Sequence, residues 1–206
     1  LRGFYPKHFE LEAVTMDPGF YKAGMGNEAE TREGFKRLAA LCEQLDVRFT
    51  LFETELAKLI FDERKESNPC SLCARMRRGM LHDRAKELGC NKIALGHHFD
   101  DAVETFMMNL FNEGRIACFS PVTYLDRKKI TMIRPLVYAP EKDIRYFINH
   151  SDLPVLGSPC PMDKTSDRER YKKMLAAMDR ENKGLKHRIL GAMQKADIDG
   201  WQPKEK

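Results

Sequence analysis

The sequence lacks the features of membrane-spanning, secreted and repetitive proteins. No apolar run approaches the ~20 residues that a membrane-spanning helix needs, tryptophan occurs once, and there is no internal repeat or low-complexity tract. The first residues, Leu-Arg-Gly-Phe-Tyr-Pro, have no apolar core, so we expect no signal peptide there. With 42% apolar and 32% charged residues, the 206-residue chain has the composition of a globular protein, and we expect a cytoplasmic location.

The charge is unevenly distributed along the chain. Residues 1–120 carry a formal net charge of −2, whereas residues 121–206 carry +6. A basic C-terminal third suits a polyanionic partner such as nucleic acid. Charge alone fits a solvated helical face better, so this pattern needs support from elsewhere in the sequence.

Hydrophobic periodicity predicts an α/β fold. Alternating or apolar segments predict strands near residues 9–16, 47–52, 92–96 and 130–136, with helices between them. Helical crossovers of this kind imply a parallel sheet with helices on both faces. We therefore expect one sheet-based domain over residues 1–162, followed by a basic helical C-terminal extension over residues 163–206.

The cysteine pattern indicates metal or redox chemistry, because a charged chain of this length is not a disulfide-stapled miniprotein. Cys70 and Cys73 open a predicted helix, and Arg77 lies on the same face of that helix. The helix N-terminus and Arg77 are expected to favour thiolates. Cys160, in a distant loop flanked by prolines, supplies a third thiol. Three thiolates suit an iron–sulfur cluster with one open iron or an incomplete zinc site; a redox pair and buried thiols are the alternatives.

A second candidate site lies where the third predicted strand meets the next helix. Gly96 allows a ligand to approach the backbone closely, and His97 follows it. Asp100 and Asp101 fall in the first helical turn, where carboxylates complement the helix dipole. The same two carboxylates could instead bind Mg²⁺ or steer a nucleotide, since ligands of parallel sheets bind at the carboxyl ends of strands.

Taken together, these segments resemble a known family. Leu95–Thr105 resembles the G-H-x-x-D-D-x-x-E-T segment of the PP-loop, N-type ATP pyrophosphatases. Cys70–Gly79 is similar to the C-S-L-C-x-R-x-R-R-G motif of the tRNA 2-thiocytidine synthetase group within that superfamily. Ile133–Leu136, Glu141–Ile144 and Pro159–Pro161 follow in the order of that group, so the resemblance covers nearly the whole chain.

The resemblance implies a Rossmann-like domain, of the adenine nucleotide α-hydrolase type, that binds ATP with Mg²⁺. Such a domain adenylates a tRNA base carbonyl, here C2=O of an anticodon-loop cytidine at position 32, and sulfur then replaces the oxygen. The residues carried over are Asp101 and Arg77 for catalysis, Met16, Gly96 and His97 for the nucleotide, and Cys70, Cys73 and Cys160 for a [4Fe–4S] cluster.

The resemblance also implies partners. The basic helices beyond Ser166 are expected to hold the tRNA backbone, and a cysteine desulfurase or another sulfur donor is expected to supply sulfur. A homodimer is one expected assembly. The predicted tRNA contacts are Arg170, Lys172, Lys173, Lys186 and Arg188.

The chain departs from the family pattern in one respect. The S-G-G-K-D-S loop that cradles pyrophosphate is absent from the 206 residues, and we expect it N-terminal to Leu1. Two other functions stay open at this stage. One is a related sulfurtransferase acting on another tRNA base or on a small molecule, and the other is a non-catalytic relative that binds an iron–sulfur cluster or zinc.

Overall fold

The computed structural model describes residue 3 and residues 5–65, 68–163 and 165–202. By packing, the chain divides into two compact units, one formed by residues 1–81 and 152–163 and the other by residues 82–151 and 164–206. The predicted boundary between residues 162 and 163 divides the chain differently and stays a prediction. In the described ranges, no helix is both long enough and apolar enough to cross a bilayer.

The first unit is built on two parallel strands joined by a helical crossover. Strand β1 (Glu12–Asp17) pairs with β2 (Arg48–Glu53), and helix α1 (Glu28–Gln44) connects them. Helix α1 begins after Asn27 because the side chain of that residue accepts a hydrogen bond from the Glu30 amide, which is an N-cap. The predicted strand–helix–strand order is therefore present here.

The segment after β2 is helical but irregular. A short helix α2 (Leu56–Lys58) continues as a π-helical segment (Leu59–Arg64), where the sequence predicts one ordinary helix. Helix α3 (Pro69–Glu87) follows, and Pro69 suits its first turn because a proline needs no helical N–H there. The core of this unit consists of Leu56, Ile60 and Leu72, with Met16, Phe61, Cys73 and Met76 packed against it.

The second unit contains a three-stranded sheet. Strands β3 (Lys92–Ala94), β4 (Val122–Leu125) and β5 (Ile130–Ile133) lie in the order β3-β5-β4. Strands β3 and β5 are parallel, as the sequence predicts, but β4 pairs with β5 in an antiparallel hairpin that the sequence analysis missed. Strand β4 lies at the edge of this sheet, where its formation depends on pairing with β5 rather than on a buried apolar run of its own.

The second unit also contains helices α4 (Phe99–Glu113), α5 (Glu141–Asn149), α6 (Asp167–Glu181) and α7 (Leu185–Lys195), and a 3-10 turn (Ile198–Gly200) follows α7. Helices α4, α6 and α7 pack on one another around a buried core. Gly184 adopts φ 82°, a left-handed conformation that lets the chain turn between α6 and α7. The α/β class is confirmed, and the basic helices α6 and α7 belong to the core of this unit. The buried core residues on these three helices are Phe99, Ala102, Val103, Met107, Tyr171, Leu175, Leu190 and Met193.

Candidate functional site

The first unit brings the three predicted cluster ligands together. Cys70 and Cys73 lie in the first turn of α3, and Cys160 comes from the 152–163 segment of the same unit. The Cys73 thiol interacts electrostatically with Cys70, Cys160 and Arg77. Cys70 and Cys73 are neighbours because they are three residues apart on one helix, whereas Cys160 comes near them only through the tertiary fold.

Two glycines leave room for the Cys160 loop to pack closely against the rest of the first unit. A Cβ on Gly26 would lie 2.6 Å from Cβ of Pro159, and a Cβ on Gly34 would lie 2.8 Å from Cγ of Leu156. Both distances are shorter than real carbon contacts, so only glycine lets the loop pack this closely against the start of α1. These two glycines therefore help to position Cys160.

The acidity of Cys73 differs from the sequence-based expectation. Burial raises the pKa of the Cys73 thiol, the neighbouring Cys160 and Cys70 raise it further, and Arg77 opposes the shift. The helix N-terminus and Arg77 alone were expected to lower it. Cys73 packs against the apolar core of this unit, and that environment disfavours a bare thiolate. Metal binding would supply the compensating positive charge.

The three cysteines suit more than one kind of metal centre. Three thiolates are compatible with a [4Fe–4S] cluster that has one open iron, or with a zinc ion that takes a fourth ligand from elsewhere. Within the described part of the chain, no three His, Cys, Asp or Glu side chains lie close enough together to hold a metal ion.

Cys118, in the second unit, has the properties of a structural thiol. Its Sγ lies 3.4 Å from the carbonyl oxygen of Ala102, and burial raises its pKa to about 12. A buried thiol whose sulfur faces a backbone carbonyl is a weak nucleophile near neutral pH. The buried-thiol interpretation therefore applies to Cys118.

The second unit contains the strand-to-helix turn of the predicted nucleotide site. A Cβ on Gly96 would meet no described atom within 4 Å, so the space beside its backbone is open. Burial lowers the pKa of His97, and its Nδ1 is buried without a hydrogen-bond partner among the described residues. Open space beside Gly96 and an unsatisfied nitrogen on a neutral imidazole are features that a bound ligand can use. Met16 lies in the first unit, packed against Leu56, Ile60 and Leu72.

Asp101 is fixed at the start of α4 by a reciprocal cap. Its Oδ2 accepts from the His98 amide at 2.9 Å, while its own amide donates to His98 Nδ1 at 3.4 Å. This capping box fixes the start of α4, so Asp101 stabilises the helix N-terminus, which is one of the two roles that the sequence offers for these carboxylates. The other oxygen, Oδ1, lies 2.6 Å from Arg168 Nη1.

Asp100 has a structural environment. Its Oδ1 accepts from Lys186 Nζ at 2.6 Å, and its Oδ2 accepts from the Glu141 amide at 2.7 Å. Burial opposes ionisation of this carboxyl, but these two hydrogen bonds outweigh it and lower its pKa. Both oxygens are engaged in joining α4 to α5 and α7, which favours a structural role over Mg²⁺ binding.

Two of the five predicted tRNA contacts form ion pairs that join different helices of the second unit. Lys186 pairs with Asp100, and Lys172 Nζ lies 2.7 Å from Glu141 Oε1. The side chain of Lys186 is only 17% exposed. These two cations therefore stabilise helix packing, and their contact with tRNA stays a prediction.

The other three predicted tRNA contacts are exposed to solvent. Arg170 lies over the ring of Tyr171, with 5.1 Å between its guanidinium carbon and the ring centroid. Arg188 donates to the carbonyl oxygens of Lys183 and Asn182 at the end of α6. The side chain of Lys173 is 72% exposed. These side chains can reach a phosphate backbone, and that role also stays a prediction.

Two charged residues beside Asp101, Arg168 and Glu104, were not predicted from the sequence as part of the site. Arg168 bonds to Asp101, although it stands out in the sequence only as one of many basic residues. Glu104 is 3% exposed, and its Oε1 has no hydrogen-bond partner in the described part of the chain. Its signal was available, since Glu104 interrupts the apolar stripe of α4 next to Val103.

Glu104 is expected to make stability depend on pH. Burial raises its pKa to about 7, with Asp101 and Asp100 adding to the shift against Arg168 and Lys172. The folded protein thus holds the Glu104 proton more tightly than the unfolded chain does. The resulting contribution to the free energy of unfolding is full below about pH 4.5 and is lost as the pH rises through about 7. In the wild type, the free energy of unfolding should fall by up to about 3 kcal/mol as this carboxyl ionises, and Glu104→Gln should abolish that fall. Urea unfolding between pH 5 and pH 8 measures it.

The control for this prediction is Glu113→Gln, at the exposed end of the same helix. It should leave the pH dependence unchanged. Glu104→Gln can also change the free energy of unfolding by the same amount at every pH, and such a change does not test the prediction. Only the slope of the free energy of unfolding with pH reports the buried carboxyl. Equal slopes for the wild type and Glu104→Gln would contradict the raised pKa.

Comparisons with known proteins identify the family of this chain. The PP-loop domain family matches residues 23–178. The tRNA-cytidine(32) 2-sulfurtransferases of Syntrophotalea carbinolica and Geobacter sulfurreducens are each 37% identical over 196 residues, covering 94% of this chain and 72% of theirs. The enzyme of the same name from Cupriavidus metallidurans is 34% identical over 193 residues, covering 92% of this chain and 58% of its own.

A solved structure has the same fold at low sequence identity. The U34-tRNA thiolase NcsA from Methanococcus maripaludis, solved with its [4Fe–4S] cluster, superimposes with a TM-score of 0.74 at 22% identity. The match covers 95% of this chain and 65% of that protein. From the family match and the curated relatives, the chain belongs to the PP-loop domain family and, within it, to the group of the tRNA-cytidine(32) 2-sulfurtransferases.

Proposed function

We propose that this protein is an ATP-dependent tRNA sulfurtransferase that converts cytidine 32 of the anticodon loop to 2-thiocytidine. The observation that carries the proposal is the gathering of Cys70, Cys73 and Cys160 beside Arg77, in a chain of this family. The relatives at 37% identity are named for this base and this reaction. The [4Fe–4S] cluster of the solved thiolase agrees with a cysteine-bound cluster here.

The proposed reaction has two steps. In the first, the C2 oxygen of the cytidine attacks the α-phosphate of ATP, and pyrophosphate leaves. In the second, a sulfide-level sulfur nucleophile attacks C2, the bond between C2 and the original oxygen breaks, and AMP leaves with that oxygen. Adenylation turns a poor leaving group into a good one, and Mg²⁺ would neutralise the phosphate charges.

The residues at the start of α4 are proposed to serve the first step. The open space beside Gly96 allows the nucleotide to approach the backbone, and the unsatisfied His97 Nδ1 is available to a nucleotide atom. Asp101 is proposed as the catalytic carboxylate, held by the His98 amide and by Arg168. Met16 is proposed to contact the adenine.

The cysteines are proposed to hold the cluster. Cys70, Cys73 and Cys160 would supply three thiolates, which leaves one iron without a protein ligand and able to bind sulfur. Arg77 would stabilise negative charge on Cys73, since its guanidinium already favours the thiolate form of that side chain.

The partners follow from the reaction. Arg170, Lys173 and Arg188 are the exposed cations that we propose contact the tRNA backbone, with Lys172 and Lys186 as further contacts. A cysteine desulfurase or another sulfur donor would renew the sulfur. A cytoplasmic location belongs to the same proposal, because tRNA modification of this kind acts on the cellular tRNA pool. A homodimer is the assembly that we propose with it.

The test is a thiolation assay with the intact protein under anaerobic conditions. The reconstituted protein is incubated with unmodified tRNA, ATP, Mg²⁺ and sulfide, and the nucleosides are analysed by mass spectrometry. We expect 2-thiocytidine at position 32, and none when ATP is omitted. A different thiolated base would indicate the related sulfurtransferase. Absence of thiolated nucleoside from cluster-loaded protein that still binds tRNA would favour the non-catalytic relative.

A further inference from the structure

Arg168 makes a two-point contact with α4. It lies in the first turn of α6, where its Nη1 donates to Asp101 Oδ1 at 2.6 Å and its Nη2 donates to Thr105 Oγ1 at 3.2 Å. Asp101 and Thr105 are one helical turn apart, so the guanidinium lies along the surface of α4. Two separate acceptors fix the plane of the guanidinium, which a single contact cannot do.

This contact completes the restraint on the Asp101 carboxylate. Its second oxygen accepts from the His98 amide at 2.9 Å, so each oxygen has a donor on a different side. The carboxylate is 16% exposed, and its rotation would break one of these hydrogen bonds. A catalytic group gains from such restraint, because small errors in its position reduce the rate strongly.

The neighbouring carboxyl competes only weakly for Arg168. Glu104 is one turn along α4 from Asp101, is 3% exposed, and makes no hydrogen bond to the guanidinium. Its carboxyl is charged only in part near neutral pH, because burial raises its pKa to about 7. Arg168 therefore stays with Asp101, which is the more exposed of the two carboxyls.

We propose that Arg168 is a positioning residue that orients the Asp101 carboxylate for the activation step. The proposal rests on the proposed function, since it assigns Asp101 to that step. Through Arg168, the basic helix α6 controls the geometry of the site as well as presenting cations to solvent. Thr105 is the second anchor that keeps the guanidinium in plane.

A simple brace between α4 and α6 is the structural alternative, and it predicts different behaviour. The side chain of Arg168 is 42% exposed, and ion pairs at such sites contribute little to stability. The packing of α4 on α6 rests on buried apolar residues such as Val103 and Leu175. Removal of Arg168 should therefore leave the fold intact.

The experiment compares Arg168→Gln, Arg168→Lys and Thr105→Val in the intact, cluster-loaded protein. Steady-state formation of 2-thiocytidine gives kcat and the KM for tRNA, and thermal melting reports the fold. We expect Arg168→Gln to lower kcat about tenfold or more with an unchanged KM. Arg168→Lys should recover part of this loss, since an ammonium reaches Asp101 but not Thr105 as well. Thr105→Val should show a smaller fall in kcat.

The matched control is Arg115→Gln, which removes another arginine–carboxylate pair, the 3.4 Å contact with Glu113 at the far end of α4. It should keep the wild-type kcat. Wild-type kcat in Arg168→Gln, a rise in KM alone, or a loss proportional to unfolded protein would each overturn the positioning role. Failure of the wild-type protein to thiolate any tRNA would instead overturn the proposed function.

Discussion

Alanine at Cys160 is expected to abolish the iron–sulfur cluster and, with it, thiolation. Cys160 is one of three thiols gathered in the first unit, and with Cys70 and Cys73 alone two irons would lack a protein ligand. Anaerobic reconstitution of the wild-type protein should give broad visible absorption and about four irons per chain. The Cys160→Ala variant should lose the absorption, most of the iron and all 2-thiocytidine formation.

The matched controls are Cys42→Ala and Cys90→Ala, which remove partly buried thiols outside the proposed ligand set. Both should keep the absorption and the iron content. Loss of the cluster in either control, together with its retention in Cys160→Ala, would show that the ligand set is wrong. Stoichiometric zinc without iron, in protein prepared without oxygen, would favour a zinc-binding relative.

Asparagine at Asp101 is expected to abolish thiolation while the cluster content stays normal. The amide oxygen of asparagine can still accept from the His98 amide, so the cap on α4 is largely kept. The negative charge that faces Arg168 is lost, and with it the proposed catalytic group. We expect the rate to fall at least about a hundredfold, measured as 2-thiocytidine formed per minute. Activity near the wild-type level would mean that Asp101 only caps the helix.

Asp100→Asn is the comparison for this result, and it should affect stability. Asp100 and Lys186 are 9% and 17% exposed, and an amide at position 100 would leave the Lys186 ammonium without its counter-charge. Breaking a pair this deeply buried costs about 3 kcal/mol or more. We expect a lower midpoint of urea unfolding, with residual activity in the protein that stays folded. If Asp100→Asn instead gave a stable but inactive protein, Asp100 would be the catalytic carboxylate and Asp101 the structural one.

The two aspartates show why adjacent residues of one motif need the tertiary structure to be told apart. In the sequence both are carboxylates in the first turn of a helix. In the structure Asp100 points its oxygens at α5 and α7, whereas Asp101 faces the His98 amide and α6. Successive residues on a helix are about 100° apart, so they meet different neighbours.

The sequence by itself determined the local structure and the chemistry of the motifs. Parallel strands joined by helices followed from hydrophobic periodicity, and the helix over Cys70, Cys73 and Arg77 followed from the proline that precedes it. These features depend on the preferences of neighbouring residues, which are written in short stretches of sequence. The motifs also sufficed to identify the family, which the relatives at 37% identity confirm.

The tertiary structure alone decided which distant groups meet. Cys160 reaches Cys73 because Gly26 and Gly34 let its loop pack closely against the first unit. Arg168 and Lys186, two cations among many in the sequence, are paired with the Asp101 and Asp100 carboxylates at the start of α4, so fewer cations remain to contact tRNA. Such pairings depend on the packing of whole helices and on the cost of burying an unpaired charge, and neither is set by the residues next to them in the chain.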